Sequence, residues 1–262
     1  MLPLTVSSPS TARASARNRP TRCRMTTQPN NDGTKLMSGP EPPAIPPNSK
    51  RLFLVRHGEA INPGRDGPVY YGSMDVALSP LGQEEAKAAA QYLSQFDLKR
   101  VFASPLSRAI YGAKQVQLLQ QHETDLTVLE GFKELDRGSW CGKTKDEIGL
   151  EAISKFDACD ESATPDGGES FPFLKRRVLK ARDEALSQIS AGCAAAVVSH
   201  LQVTRSMLSD AKDIPTSEMT KLPIATASIT CIDYDTENGS QTVHFESFKP
   251  KLGLKTSNDK AN

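Results

Sequence analysis

Arg56-His57-Gly58-Glu59 sets an imidazole beside a guanidinium directly after an apolar run, Leu52-Phe53-Leu54-Val55. The run reads as a buried strand, and residues just past the carboxyl end of such a strand lie at the rim where open α/β sheets bind ligands. A neutral imidazole, with an ordinary pKa of about 6.5, can act as a nucleophile near neutral pH. Arginine is a permanent cation whose planar fork of donors suits phosphate. The pair points to a nucleophile next to an anion clamp.

Three further strand ends carry polar residues of matching kinds. Ser104 follows a strand at 100–103, with Arg108 one helical turn on. A strand at 126–129 leads to Glu134. A buried strand at 194–198 delivers Ser199 and His200. One such residue would be weak evidence; four at successive strand ends meet at one rim.

Helices must connect these strands. Ser79-Pro80 opens one, with Ser79 as N-cap and Pro80 in the first helical position, running to about 94. Others are expected at 105–121, 171–190 and from Gln202 onward. Segments 228–234 and 242–246 read as a closing hairpin around Asn238-Gly239. The alternation predicts an α/β fold, a three-layer α/β/α sandwich with a mostly parallel central sheet.

The ordered motifs are specific. Leu54-Val55-Arg56-His57-Gly58-Glu59 is followed by the 71–79 segment, Ala103-Ser104-Pro105-Leu106-Ser107-Arg108-Ala109 and Glu134-Leu135-Asp136-Arg137-Gly138-Ser139-Trp140-Cys141-Gly142. Asp166-Gly167-Gly168-Glu169-Ser170 and Val197-Val198-Ser199-His200 complete the set. In order and spacing it resembles the histidine phosphatase superfamily, whose fold is phosphoglycerate-mutase-like. The resemblance implies that His57 attacks phosphorus and carries the phosphoryl group. It implies that Arg56, Arg108 and His200 surround the phosphoryl oxygens, His200 being protonated or at least donating. Glu134, four residues before Gly138 and six before Trp140, is implied as the general acid and base. No metal and no cofactor are implied, since arginines supply the positive charge.

Two departures mark the pocket. The family often has asparagine at the sixth position past the histidine; here Pro63 stands there and Asn62 one earlier, before a lengthened loop at 63–68. Asn62 is expected as a phosphate contact, with Arg65 or Tyr70 as the alternative substrate contacts. Leu201 stands where the family usually has glycine, keeping the backbone amide but narrowing the pocket. Glu59 is expected to pair with an arginine, Trp140 to anchor packing, Cys141 to fill a buried gap, and Lys175-Arg176-Arg177 to form a solvated helix face. His122 and His244 are expected to be surface or satisfied residues.

The short connection from Glu134 to Gly167 and the Gly-Ser-Trp-Cys-Gly form of the acid motif favour a phosphatase over a mutase. The alternatives are a phosphoglycerate-mutase-type phosphotransferase and a non-catalytic phosphate-binding module. The expected partner is a small phosphorylated metabolite. With a net charge of +1 the chain has no broad basic surface for nucleic acid, and no apolar run is long enough for a membrane span.

Composition divides the chain. Through Asn31 there is no acidic residue, while Arg13, Arg17, Arg19, Arg22 and Arg24 sit among serines and threonines. Residues 1–38 are therefore expected to be a transit peptide or disordered tail, giving an organellar (plastid or mitochondrial) address, with the cytoplasm as the alternative. Residues 39–49 read as a Pro-rich linker, 50–250 as the catalytic domain and 251–262 as a tail. The five scattered cysteines suggest neither a disulfide framework nor a zinc site.

Overall fold

A strand covered on both faces must be apolar along its whole length. The run at the start of the folded part meets that condition: in β1 (Ser49–Arg56) every residue from Leu52 to Val55 is apolar and buried. The computed structural model describes residues 38–252. The expected transit-like segment and most of the expected C-terminal tail lie outside the described residues.

After β1 come α1 (Pro80–Leu93), β2 (Leu98–Ala103), α2 (Ser107–Leu118) and β3 (Asp125–Val128). Two short helices follow, α3 (Lys145–Ile148) and α4 (Leu150–Asp157), then α5 (Phe171–Ser187), β4 (Ala194–Ser199) and α6 (Leu201–Ala211). The hairpin β5 (Ile229–Asp235) and β6 (Gln241–Phe248) closes the unit. The six strands lie in the order β3-β2-β4-β1-β5-β6. The pairings β1–β4, β4–β2 and β2–β3 are parallel, and the hairpin adds two antiparallel ones.

Alternation along β1 builds the layers, since successive side chains leave opposite faces of a strand. Leu52 and Leu54 pack with Leu174, Val178, Val203 and Met207 of α5 and α6. Phe53 and Val55 pack with Ala89, Leu93, Ala113 and Val116 of α1 and α2. The result is the α/β/α sandwich expected.

Local signals account for most element ends. The Ser79 hydroxyl accepts from the amide of Gly82 at 3.0 Å, and Pro80 follows it, as expected for α1. Helix α2 begins two residues later than expected because Ser104 closes a turn first, its hydroxyl accepting from the amide of Leu106 at 3.3 Å. Helix α3 was not anticipated, although Thr144 and Glu147 form a capping box around it.

The Pro-rich stretch is extended, yet it is seated on the domain. Tyr92 donates to the carbonyl of Pro40, Arg51 donates to the carbonyl of Pro43 at 2.9 Å, and Ile45 packs against the second core. Cys141, Cys159 and Cys231 are free thiols, and Cys193 is buried just before β4.

Candidate active site

Three adjacent strands, β2, β4 and β1, bring the chemistry together. The His57 amide donates to the carbonyl of Ser199 at 2.9 Å, carrying the β1–β4 ladder past the strand ends. The rings of His57 and His200 therefore stand 5.1 Å apart, edge to face. From the other side the Ser104 amide donates to the carbonyl of Val198 at 3.0 Å.

The tautomer of His57 follows from its partner. Nδ1 lies 2.6 Å from the carbonyl oxygen of Gly58, which can only accept, so Nδ1 carries the proton and Nε2 keeps its lone pair. Gly58 is required by a close crossing with the start of α1: a Cβ there would stand 2.1 Å from the carbonyl oxygen of Gly82. Burial and the charge of Arg108 push the pKa of His57 down to about 3, so the ring is neutral at ordinary pH.

His200 is fully buried, and its pKa is held well below the ordinary value by burial, then by His57, Arg108 and Arg56. Its Nε2 lies 2.6 Å from the Ser104 hydroxyl. The hydroxyl accepts from the amide of Leu106 and has one proton to give; when it gives that proton to Nε2, the ring proton of neutral His200 sits on Nδ1. Nδ1 has no partner among the described residues.

The two clamp arginines are anchored by carbonyls. Arg56 donates to the carbonyl of Ile224 at 2.6 Å. Arg108 donates to those of Met74 at 2.7 Å and Gly72 at 2.8 Å, with the Tyr71 ring 5.4 Å from its guanidinium carbon. Each keeps a buried Nε with no partner among the described residues. Burial lowers both pKa values and Glu134 opposes the shift.

Glu134 is buried where the acid turn meets the start of α6. One carboxylate oxygen accepts from the amide of Leu135 at 2.8 Å, the other from the amide of Gln202 at 3.4 Å. The turn is braced from behind by Arg177, which donates to the carbonyls of Gly131 and Lys133 at 3.0 and 2.9 Å and grips Glu169 through two bonds of 2.8 and 2.6 Å. Glu169 in turn accepts from the amide of Asp136 at 3.1 Å. Arg177 thus holds the turn that carries Glu134 and is not the solvated residue expected from its run of charges. Gly138, at φ +45°, lets this turn approach the 166–168 loop, where a Cβ would stand 2.3 Å from the carbonyl oxygen of Asp166.

A cavity of about 170 Å³ opens over this group, lined among others by Arg56, His57, Tyr70, Glu134, Arg137 and Leu201. A larger groove of about 640 Å³ continues past Glu134 along Lys133, Asp136 and Phe173. Arg108 and His200 are not among the residues lining the smaller cavity.

Of the expected substrate contacts, Tyr70 and Leu201 line the cavity and Asn62 and Arg65 do not. The Asn62 side chain is spent on its own loop: it donates to the carbonyl of Val69 and accepts from the amides of Gly64 and Val69, each at 3.0 Å. Arg65 is exposed on that loop. Glu59 pairs with no arginine among the described residues; its carboxylate accepts from the Ser79 hydroxyl at 2.6 Å. Cys141 is half-buried, its thiol 3.5 Å from the carbonyl of Tyr71. Trp140 packs edge-on against Phe156, as expected.

Tyr71, Arg137 and Gln202 also line the cavity and were not singled out from the sequence. They converge because the loop after the signature docks on the acid motif: the Tyr70 amide donates to the carbonyl of Lys143 at 2.9 Å, and the Gly142 amide to that of Tyr70 at 2.7 Å. Among the described residues no cluster of three or more His, Cys, Asp or Glu could hold a metal ion.

A family model described as the histidine phosphatase superfamily (branch 1) matches residues 52–246. Bifunctional protein Rv2228c of Mycobacterium tuberculosis is 30% identical over 194 residues, covering 72% of this chain and 52% of that protein. Phosphoserine phosphatase 1 of Hydrogenobacter thermophilus is 32% identical over 133 residues, covering 49% of this chain and 60% of the relative. The chain thus spans about half the length of the curated relatives it matches. Among solved structures, YhfR of Bacillus stearothermophilus superposes with a TM-score of 0.67 at 26% identity, covering 76% of this chain and 97% of that one. The mycobacterial glucosyl-3-phosphoglycerate phosphatase superposes with a TM-score of 0.65 at 22% identity, covering 78% and 100%; at that identity the likeness speaks to fold alone.

Proposed function

The chain belongs to the histidine phosphatase superfamily, branch 1, and from that footing we propose that it hydrolyses phosphomonoesters through a phosphohistidine on His57. The observation that carries this reading is a set of unpaired donors on the neighbours of His57. Arg56 Nε, Arg108 Nε and His200 Nδ1 are all buried, all without a partner among the described residues, and all belong to groups within electrostatic reach of His57. Buried donors are nearly always bonded, and donors left over at a site with two arginines suit an anion with several oxygens.

In the first step Nε2 of His57 forms a bond to phosphorus as the ester P–O bond breaks. Protonated Glu134 gives its proton to the departing oxygen. In the second step a water oxygen bonds to phosphorus, its proton goes to Glu134, and the N–P bond breaks. Arg56, Arg108 and the Nδ1–H of His200 offset charge on the phosphoryl oxygens throughout, a preorganised electrostatic stabilisation. Neutral His57 needs no deprotonation before attack. A neutral His200 can still donate from Nδ1 when Ser104 gives its own proton to Nε2.

Relatives named as phosphoserine phosphatase and glucosyl-3-phosphoglycerate phosphatase support a phosphatase over a mutase, and a small phosphorylated metabolite as substrate. The test is phosphate release from a panel of phosphomonoesters by wild type and His57→Ala. Turnover by wild type that His57→Ala abolishes supports the reading; a wild type silent across the panel defeats it.

A further inference from the structure

Arg137 is 9% exposed and lines the cavity beside Glu134, yet its side chain makes no hydrogen bond or ion pair to any described residue. The other arginine lining the cavity, Arg56, is anchored to a carbonyl. Arg137 is instead held by ring faces: its guanidinium carbon lies 4.7 Å from the Tyr70 centroid and 5.4 Å from that of Phe156. Stacking leaves the planar fork of N–H donors unspent. Its nitrogens are not among the buried atoms left without a partner, so these donors open on the cavity for something to occupy.

Its position says what that something is. Glu134 and Arg137 belong to one short turn, and Glu134 exerts the largest opposing charge effect on Arg137. In the reading above, Glu134 faces the departing oxygen, so its neighbour on the same turn faces the alcohol part of the substrate and not the phosphoryl group. The phosphoryl end already has Arg56, Arg108 and His200. The cavity, at about 170 Å³, has room only for a small group.

We infer that Arg137, stacked on Tyr70, forms a second anion subsite that selects phosphomonoesters whose alcohol carries a carboxylate close to the ester oxygen. This rests on Glu134 acting at the leaving group. A planar carboxylate matches the fork with two parallel bonds. The loop at 63–71 contributes by laying Tyr70 over the guanidinium, which gives the lengthened segment after the signature a role in specificity.

The test uses the full chain and a matched pair of substrates, 3-phosphoglycerate and glycerol 3-phosphate, which differ by a carboxylate against a hydroxymethyl group. Wild type is expected to favour the carboxylate by about tenfold in kcat/KM, the worth of a charge-assisted bond. Arg137→Met should erase most of that ratio, chiefly through KM, and Arg137→Lys should keep part of it. Equal use of both substrates by wild type, or an unchanged ratio in Arg137→Met, overturns the inference while leaving the phosphatase intact. Binding of the same pair to His57→Ala, followed by calorimetry, gives a readout without turnover. A carboxylate preference there, lost on adding Arg137→Met, upholds the subsite even if wild type hydrolyses neither compound; no preference in that assay overturns it.

Discussion

The hydroxyl of Ser104 stands 2.6 Å from Nε2 of His200, and both residues are fully buried. On the proposed mechanism Ser104 gives its proton to Nε2, which leaves the ring proton of neutral His200 on Nδ1. Ser104→Ala should therefore lower kcat by at least about tenfold, since a wrong tautomer disables a histidine whose position is unchanged. Ser104→Thr keeps the hydroxyl and should recover most of the rate. Steady-state kinetics of the two variants decides the point: equal losses would mean that Ser104 only packs.

Arg177 and Glu169 fix the acid turn from outside the cavity. Arg177→Met removes two bonds to carbonyls and a two-bond ion pair that is about four-fifths shielded from solvent. Stability should fall by about 2 kcal/mol, the range for a partly buried charged network. Urea denaturation measures it. The kcat should fall together with stability, because Glu134 loses its frame.

Glu134→Gln removes the proton donor. On an alkyl phosphate kcat should fall by about 10²–10⁴-fold, the usual contribution of general acid–base catalysis. On an aryl phosphate, whose phenolate leaves without help, the first step should suffer far less. Pre-steady-state rates with the two substrate types test this, and equal losses would remove Glu134 from the acid role.

The two histidines make stability depend on pH. His57 has a folded pKa of about 3 against about 6.5 unfolded, and His200 is shifted in the same direction. Between those values the unfolded chain binds more protons than the folded one, so stability rises with pH. It should be fully present above about pH 6.5 and fall on acidification by about 1.4 kcal/mol per pH unit for each histidine. Urea midpoints from pH 7 to pH 4.5 for wild type and His57→Asn measure this, the variant losing one proton's worth of slope.

The layered fold was legible because the continuous apolar run of β1 and the helix start at Ser79-Pro80 are local signals. His57, His200 and Arg108 were placed by strand ends, which the ladder between His57 and Ser199 turns into proximity. What escaped depends on contacts distant in sequence. Arg177 sits in a run of cations that reads as solvated; its role arises only because α5 passes behind the acid turn. Asn62 has the right residue type near the right place, but its side chain closes the 62–69 loop. Arg137 reads as one more charge in a motif until Tyr70 is laid over it.

The central claim is a phosphoryl group carried by Nε2 of His57. Wild type mixed briefly with a substrate from the panel that it turns over, quenched in base and digested, should yield a phosphorylated peptide containing His57. The label should survive base, disappear in acid and be absent from His57→Ala. An active enzyme with no label under single-turnover conditions, or with its label on another residue, would contradict the account.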